Sequence, residues 1–304
     1  MMRVAWRRLR WVAHRRTAGL SPTGRALLWV LASGVLFCIL NALVMGLARE
    51  VPPFQAQFLR YFFGLLITLP WVVAHGMARY RPSAIGRHAL RGACHTVGLS
   101  MWFIALPAVP LADTTAIGFT TPLFVLLGAW VFFGEALRWE RWTACVLGFV
   151  GVLIVVAPRL APEGQDPGWG HLVMLASAPV FAASSLLTKT LVGRDSIGTI
   201  TLWQSLTITA FSLPAALWVW TPITAWQWAG FALCGALGTA GHYCVNRSLL
   251  GADISATQSL KFLDLIWATL LGWALYHEWP TGTTIAGGLV ISAATIWAAR
   301  REAR

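Results

Sequence analysis

The chain has 304 residues, 57% of them hydrophobic and 11% charged, with a mean hydropathy of +0.66 and a net charge of +12. A soluble domain carries roughly 25% charged residues, so a water-soluble enzyme or binding module of this length is excluded. Nucleic acid, the usual partner of so basic a soluble chain, is not expected either, because the charge follows the connections between apolar stretches instead of covering a surface.

Residues 1–24 form a basic tail with Arg3, Arg7, Arg8, Arg10, Arg15 and Arg16, no acidic residue, and Trp6 and Trp11 interleaved. It reads as a cytoplasmic tail that fixes the orientation of the first span. The alternative is a transit peptide or a surface-lying amphipathic segment. Stretches long enough to cross a hydrocarbon core of about 30 Å then recur near 26–46, 55–75, 91–108, 114–133, 141–157, 171–191, 198–220, 226–246, 254–275 and 281–299. Ten membrane helices are therefore predicted, five in each half. Nineteen of the 23 basic residues lie in the tail, in alternate connections or after the last span, among them Arg79, Arg81, Arg87, Arg91, Arg138, Arg141, Lys189, Arg194 and Arg247. Cytoplasmic loops collect Lys and Arg, so both termini are predicted to be cytoplasmic.

The two halves repeat. A shift of 144 carries Leu31-Ala32-Ser33 onto Leu175-Ala176-Ser177, Phe37 onto Phe181, Arg60 onto Gln204 and Leu69-Pro70 onto Leu213-Pro214. A shift of 140 carries Cys94, Gly98 and Ala112-Asp113 onto Cys234, Gly238 and Ala252-Asp253, and a shift of 143 carries Trp130 and Glu135 onto Trp273 and Glu278. Two halves with an odd number of spans each point opposite ways in the bilayer, which is the plan of a secondary transporter with its site between the repeats. The fold class predicted is an all-α membrane protein of ten transmembrane helices built as two inverted five-helix repeats.

An ionisable residue inside a span is costly and faces the bundle interior, so it is a functional candidate. Lys261 and Asp264 lie three apart, hence on one helical face, with Gln258 a turn away. They read either as a self-neutralising structural pair or as a working pair, with Asp264 exchanging a proton and Lys261 holding an anionic group. Arg60, with Gln57 a turn before it, either reaches into a cavity for a carboxylate or phosphate or snorkels to the interface. His242 and Asn246 share a face with Gly238, and Asn41 and Gln204 add polar groups in the first and seventh spans. Trp102, Trp203 and Trp267 lie deeper than the other tryptophans. They either stack on a heterocyclic solute or pack. Asp113 and Asp253 each precede a helix and are expected to cap it. Pro70, Pro122, Pro179 and Pro214 are potential kinks.

The five cysteines show no CxxC spacing and are expected as packing residues, with no disulfide, metal or cofactor. An intramembrane enzyme is disfavoured: His277-Glu278 has no second histidine four residues on, and Ser33-Gly34 lacks the glycine of a GxSG motif.

Several strings resemble the EamA-type branch of the drug/metabolite transporter superfamily. They are Gln57-Phe58-Leu59-Arg60-Tyr61-Phe62, Thr121-Pro122-Leu123 followed by Phe133-Gly134-Glu135, Gly148-Phe149-Val150-Gly151-Val152-Leu153 leading to Pro158, and Trp267 to Trp273 ending in Glu278-Trp279-Pro280. The resemblance covers the chain after the tail, as a first EamA-like repeat over 25–158 and a second over 168–300. It implies a central cavity lined by the first four helices of each half, with the fifth and tenth at the periphery. One departure is that Asp264-Leu265 stands where the first repeat has Thr121-Pro122. The expected activity is proton-coupled or facilitative carriage of a small polar metabolite across the cell inner membrane, with an intramembrane enzyme or a non-transporting membrane scaffold as the alternatives of another class. Import of a vitamin or nucleoside-like cofactor is slightly favoured over export of amino acids or drugs. Candidate substrate contacts are Asn41, Gln57, Arg60, Trp102, Gln204, His242, Asn246, Gln258 and Trp267. The partners expected are a small molecule and the lipid bilayer, and a homodimer is compatible with the pattern.

Overall fold

The computed structural model describes residues 21–47, 50–105, 117–136, 138–156, 169–267, 269–270 and 281–302. The tail before residue 21, Asp113 and the Glu278-Trp279-Pro280 string lie outside the described residues. Helices follow one another as α1 (Pro22–Leu47), α2 (Pro53–His75), α3 (Ile85–Ala105), α4 (Thr121–Phe133), α5 (Trp139–Val156), α6 (Trp169–Leu191), α7 (Ile197–Trp218), α8 (Ala225–Ser248), α9 (Ile254–Gln258) and α10 (Gly282–Glu302). A 3-10 turn over Ser259–Leu263 continues α9, and no strand occurs among the described residues.

Local chemistry sets the helix ends. Pro53 opens α2, where its missing N–H costs nothing. Thr224 and Gln227 form a reciprocal capping box at the start of α8. Pro122 sits in the first turn of α4, so it starts that helix and does not kink it. Pro70, Pro179 and Pro214 do lie inside their helices. Four helices, α1, α2, α6 and α7, are long and apolar enough to cross a membrane. Among the rest, α3 is diluted by Arg87, His88, Arg91 and His95, and α4 is short. Large apolar side chains such as Trp71, Val73, Phe132, Trp218 and Leu289 point outward, as a lipid-facing surface requires.

The packing is reciprocal. Counting five helices to each half, the first of one packs on the third of the other, so α1 meets α8 and α6 meets α3. Second meets second in α2 and α7, and fifth meets fifth in α5 and α10. A two-fold relation between two similar units produces this pattern.

Small residues allow the close crossings that helix association in lipid relies on. A Cβ on Gly235 of α8 would lie 2.6 Å from Phe63 Cβ and 2.7 Å from the Gly64 backbone nitrogen of α2, whereas one on Gly288 would meet nothing within 4 Å. Gly235→Ala should therefore lose about 1–3 kcal/mol through overpacking, despite the gain in helix propensity. Gly288→Ala should lose none. Thermal unfolding of the purified variants reads the difference, and equal midpoints would mean that the α2–α8 crossing is not tight.

Connections α2–α3, α4–α5, α6–α7 and α8–α9 gather at one end. Gly193, at φ 90, turns the α6–α7 connection so that Asp195 accepts the Ser83 N–H at 2.8 Å and the Ser83 hydroxyl at 3.0 Å, with His88 Nε2 2.8 Å away. Gly134, at φ 62, ends α4 and aims Glu135 at the start of α9. There the Glu135 carboxylate accepts the N–H groups of Ile254 at 3.3 Å and Ser255 at 3.2 Å, and the Ser255 hydroxyl. Arg141 joins this network through Ser255 Oγ at 2.5 Å and Asp253 at 2.9 Å. Lys189 Nζ donates to Leu249 O at 3.4 Å and Ala252 O at 3.1 Å, which ties the two networks to the same end. Asp253 thus pairs with Arg141, and Glu135, not Asp253, holds the free N–H groups of α9. At the opposite end Gln55 exchanges two hydrogen bonds with the Thr221 backbone, and Gln227 donates to Glu50.

Candidate functional site

Midway along the bundle, side chains from both halves meet. Tyr61 of α2 sits with its hydroxyl 2.9 Å from His95 Nε2 of α3 and 3.2 Å from His242 Nε2 of α8. The hydroxyl has one proton and two acceptor lone pairs, so it either donates to one imidazole and accepts from the other or accepts from both, as the ring tautomers dictate. His95 Nδ1 lies 3.3 Å from Ser184 Oγ of α6. Phe37 and Phe181, equivalent by the shift of 144, each set an edge against one imidazole, Phe37 on His242 and Phe181 on His95, with centroids 5.0 and 5.5 Å apart. Gly241 and Gly98 make room for these two rings. The two-fold relation of the helices thus reaches the centre.

Charge surrounds this cluster. The Arg60 guanidinium lies 4.9 Å over the Tyr61 ring, and Gly238 lets it pass, since a Cβ there would lie 3.1 Å from Arg60 Nε. Arg91 donates to Ile200 O at 3.1 Å and Gln204 Oε1 at 2.6 Å. Arg60, Tyr61, Gln204, Ser205, Gly235, Gly238, Thr239 and His242 line a narrow cavity of about 10 Å³. Small-molecule sites run to roughly 300–1,000 Å³, so this one must widen to admit a solute. Arg60 and Gln204, equivalent in the two repeats, line it together.

The other candidates are spread around this centre. Lys261 is near enough to His95 and His242 to act on both electrostatically. It falls in the 3-10 turn, Asp264 caps that turn, and among the described residues no ion pair within 4.0 Å joins them. The Asp264 carboxylate instead packs where α1 has Gly34, beside the Trp267 indole, and the Asp264 carbonyl accepts the Cys38 thiol at 3.2 Å. Asn41 is exposed, although it follows Gly34 by seven residues and shares its face within about 20°, and it does not line the cavity. Gln57 donates to Ser212 Oγ at 2.9 Å and Asn246 to Thr201 Oγ1 at 3.1 Å, and Gln258 bonds within its own helix. None of these three lines the cavity. Trp102 packs in an apolar cluster with Ala105 and Met174, and Trp203 donates to Tyr80 O at 3.1 Å beside His88. Neither tryptophan reaches the centre.

Four contributors were not among the sequence candidates, one of them His95, the first-half partner of His242. Tyr61 reads as an ordinary aromatic next to Arg60, and Ser184 as a helix-interface serine. Arg91 counts as a charge in a connection there, but α3 begins at Ile85, so Arg91 is buried in the helix.

A family model described as the EamA-like transporter family matches residues 24–157 and again 168–300. The chain belongs to the EamA-like transporter family. It is accordingly a multi-pass membrane protein, and the resemblance seen in the strings around Arg60, Glu135 and Trp267 is a true membership. This EamA-like chain is 32% identical over 283 residues to a riboflavin transporter of Rhizobium johnstonii, covering 91% of each chain. It is 27% identical over 269 residues to an S-adenosylmethionine uptake transporter of Rickettsia bellii, covering 88% of this chain and 91% of that one. A solved crystal structure superposes with a TM-score of 0.78 at 20% identity, over 91% of this chain and 98% of the other, which shows a shared fold.

Proposed function

We propose that this protein carries a small polar metabolite across the cell inner membrane by alternating access, with import of a vitamin or nucleoside-like cofactor as its direction and class. The observation that carries the reading is the polar chamber built by both repeats, in which Tyr61 bridges His95 and His242 and Arg60 faces its counterpart Gln204. The relatives named for riboflavin and S-adenosylmethionine uptake support a heterocyclic cargo. In this reading ten spans form two inverted repeats, the connections rich in Arg and Lys face the cytoplasm, and both termini lie there. Hydrogen bonds and ion pairs close that end, contacts that rocking of one repeat on the other would break. Coupling to protons runs through Asp264.

Uptake by vesicles containing only this protein tests the reading. Riboflavin or S-adenosylmethionine should enter with saturable kinetics, well above empty vesicles. Folded protein that moves neither would end this assignment of direction and cargo.

A further inference from the structure

Charge inside the bundle does not balance. Arg60, Arg91 and Lys261 all act electrostatically on both His95 and His242. Asp264 is the one acidic side chain among the described residues of this central region, and it lies within 4.0 Å of no cation there. Arg91 is satisfied only by neutral acceptors, Ile200 O and Gln204 Oε1, and its Nε has no hydrogen-bond partner. Arg60 Nε is buried without a partner, and the guanidinium has only the π-face of Tyr61 beneath it. Three cations thus face one carboxylate. Arg91 is buried and Arg60 and Lys261 are half-buried; uncompensated charge held away from water is unfavourable, and no acidic side chain of the described region makes up the difference.

We propose that the solute supplies the missing charge: it carries an anionic group, carboxylate or phosphate, that seats between Arg60 and Lys261 over the Tyr61 ring. This rests on the chamber being the transport site. Arg60 presents an unused donor to such a group, and Arg is suited to planar or tetrahedral oxyanions. Lys261 contributes an ammonium that has no ion pair with Asp264 within 4.0 Å, although the two act on each other electrostatically. Arg91, pinned to Gln204 and Ile200, adds fixed positive potential from the other side. Neither imidazole carries negative charge, so the histidines add no countercharge.

Matched solutes test this on purified protein in lipid nanodiscs. Riboflavin is compared with riboflavin 5′-phosphate for the phosphate arm, and S-adenosylmethionine with its carboxyl methyl ester for the carboxylate arm. In at least one pair the anionic member should bind roughly ten- to a hundredfold tighter, as charge-assisted hydrogen bonds allow. That preference should fall to near unity in Arg60→Gln/Lys261→Met. Arg60→Lys, which keeps the charge, should retain most of it and controls for folding. No preference in either pair, including no binding at all, overturns the proposal, as does a preference unchanged in the double variant. Uptake of the same four solutes by vesicles separates the two failures. Riboflavin uptake without anion preference removes this inference alone, whereas no uptake of any solute removes the transport reading beneath it.

Discussion

Joining cysteines placed at Ser83 and Asp195 with a reducible cross-linker should stop solute uptake almost completely, and reduction should restore it. The two side chains already touch, with the Ser83 hydroxyl 3.0 Å from the Asp195 carboxylate, across connections that belong to different repeats. Alternating access requires that end to open once in every cycle, so a covalent strap there holds the molecule in one state. Each single cysteine variant should keep substantial uptake, because it removes a contact without adding a strap. Undiminished uptake by the cross-linked protein would place the solute path elsewhere. Acid is not expected to release this contact in place of the reductant. Burial raises the Asp195 carboxyl, but hydrogen bonds from His88 and Ser83 outweigh it and hold the group below its ordinary value. Its contribution is complete above the unfolded value of about 3.9 and is lost only as pH falls through the lower folded value. Acidification from about pH 7.5 to about 5.5 leaves it intact.

Asp264→Asn should abolish accumulation driven by a proton gradient while sparing exchange of labelled for unlabelled solute. For one proton per solute, a gradient of one pH unit supports about tenfold accumulation, so the variant should fall from that ratio to about unity. The amide keeps the shape that packs against Gly34 and Trp267, and so leaves the α1 contact in place, but it carries no exchangeable charge. Accumulation and counterflow measured in the same vesicles check this. A variant that still accumulates solute on a proton gradient removes Asp264 from coupling.

Much of the architecture is legible in the chain because the bilayer sets a length and the repeat sets a register. The shift of 144 pairs Arg60 with Gln204 and Phe37 with Phe181, and the fold brings each pair to equivalent places around one centre. What the sequence hides is local reach. Arg91 sits beside a basic connection, and a count of charges does not register that α3 starts at Ile85 and carries the side chain inward. Asp253 precedes a helix and has the chemistry of a cap, but Glu135, 118 residues earlier, arrives there first. Lys261 and Asp264 have the spacing of a pair, yet the 3-10 winding and the gap left by Gly34 send the carboxylate to α1. Each of these outcomes depends on a neighbour from the other repeat, which no local pattern contains.

During synthesis α1, α2, α3 and α5 enter the bilayer before α8, α7, α6 and α10, their principal neighbours, have been made. A chain halted near residue 158 would carry Arg91 and Gln57 with Gln204, Ile200 and Ser212 not yet present to receive them. The leading half is therefore a poor membrane protein by itself, exposed to proteolysis until its counterpart is translated. The same interlocking makes each half a template for the other. Two halves expressed as separate polypeptides possess complementary faces.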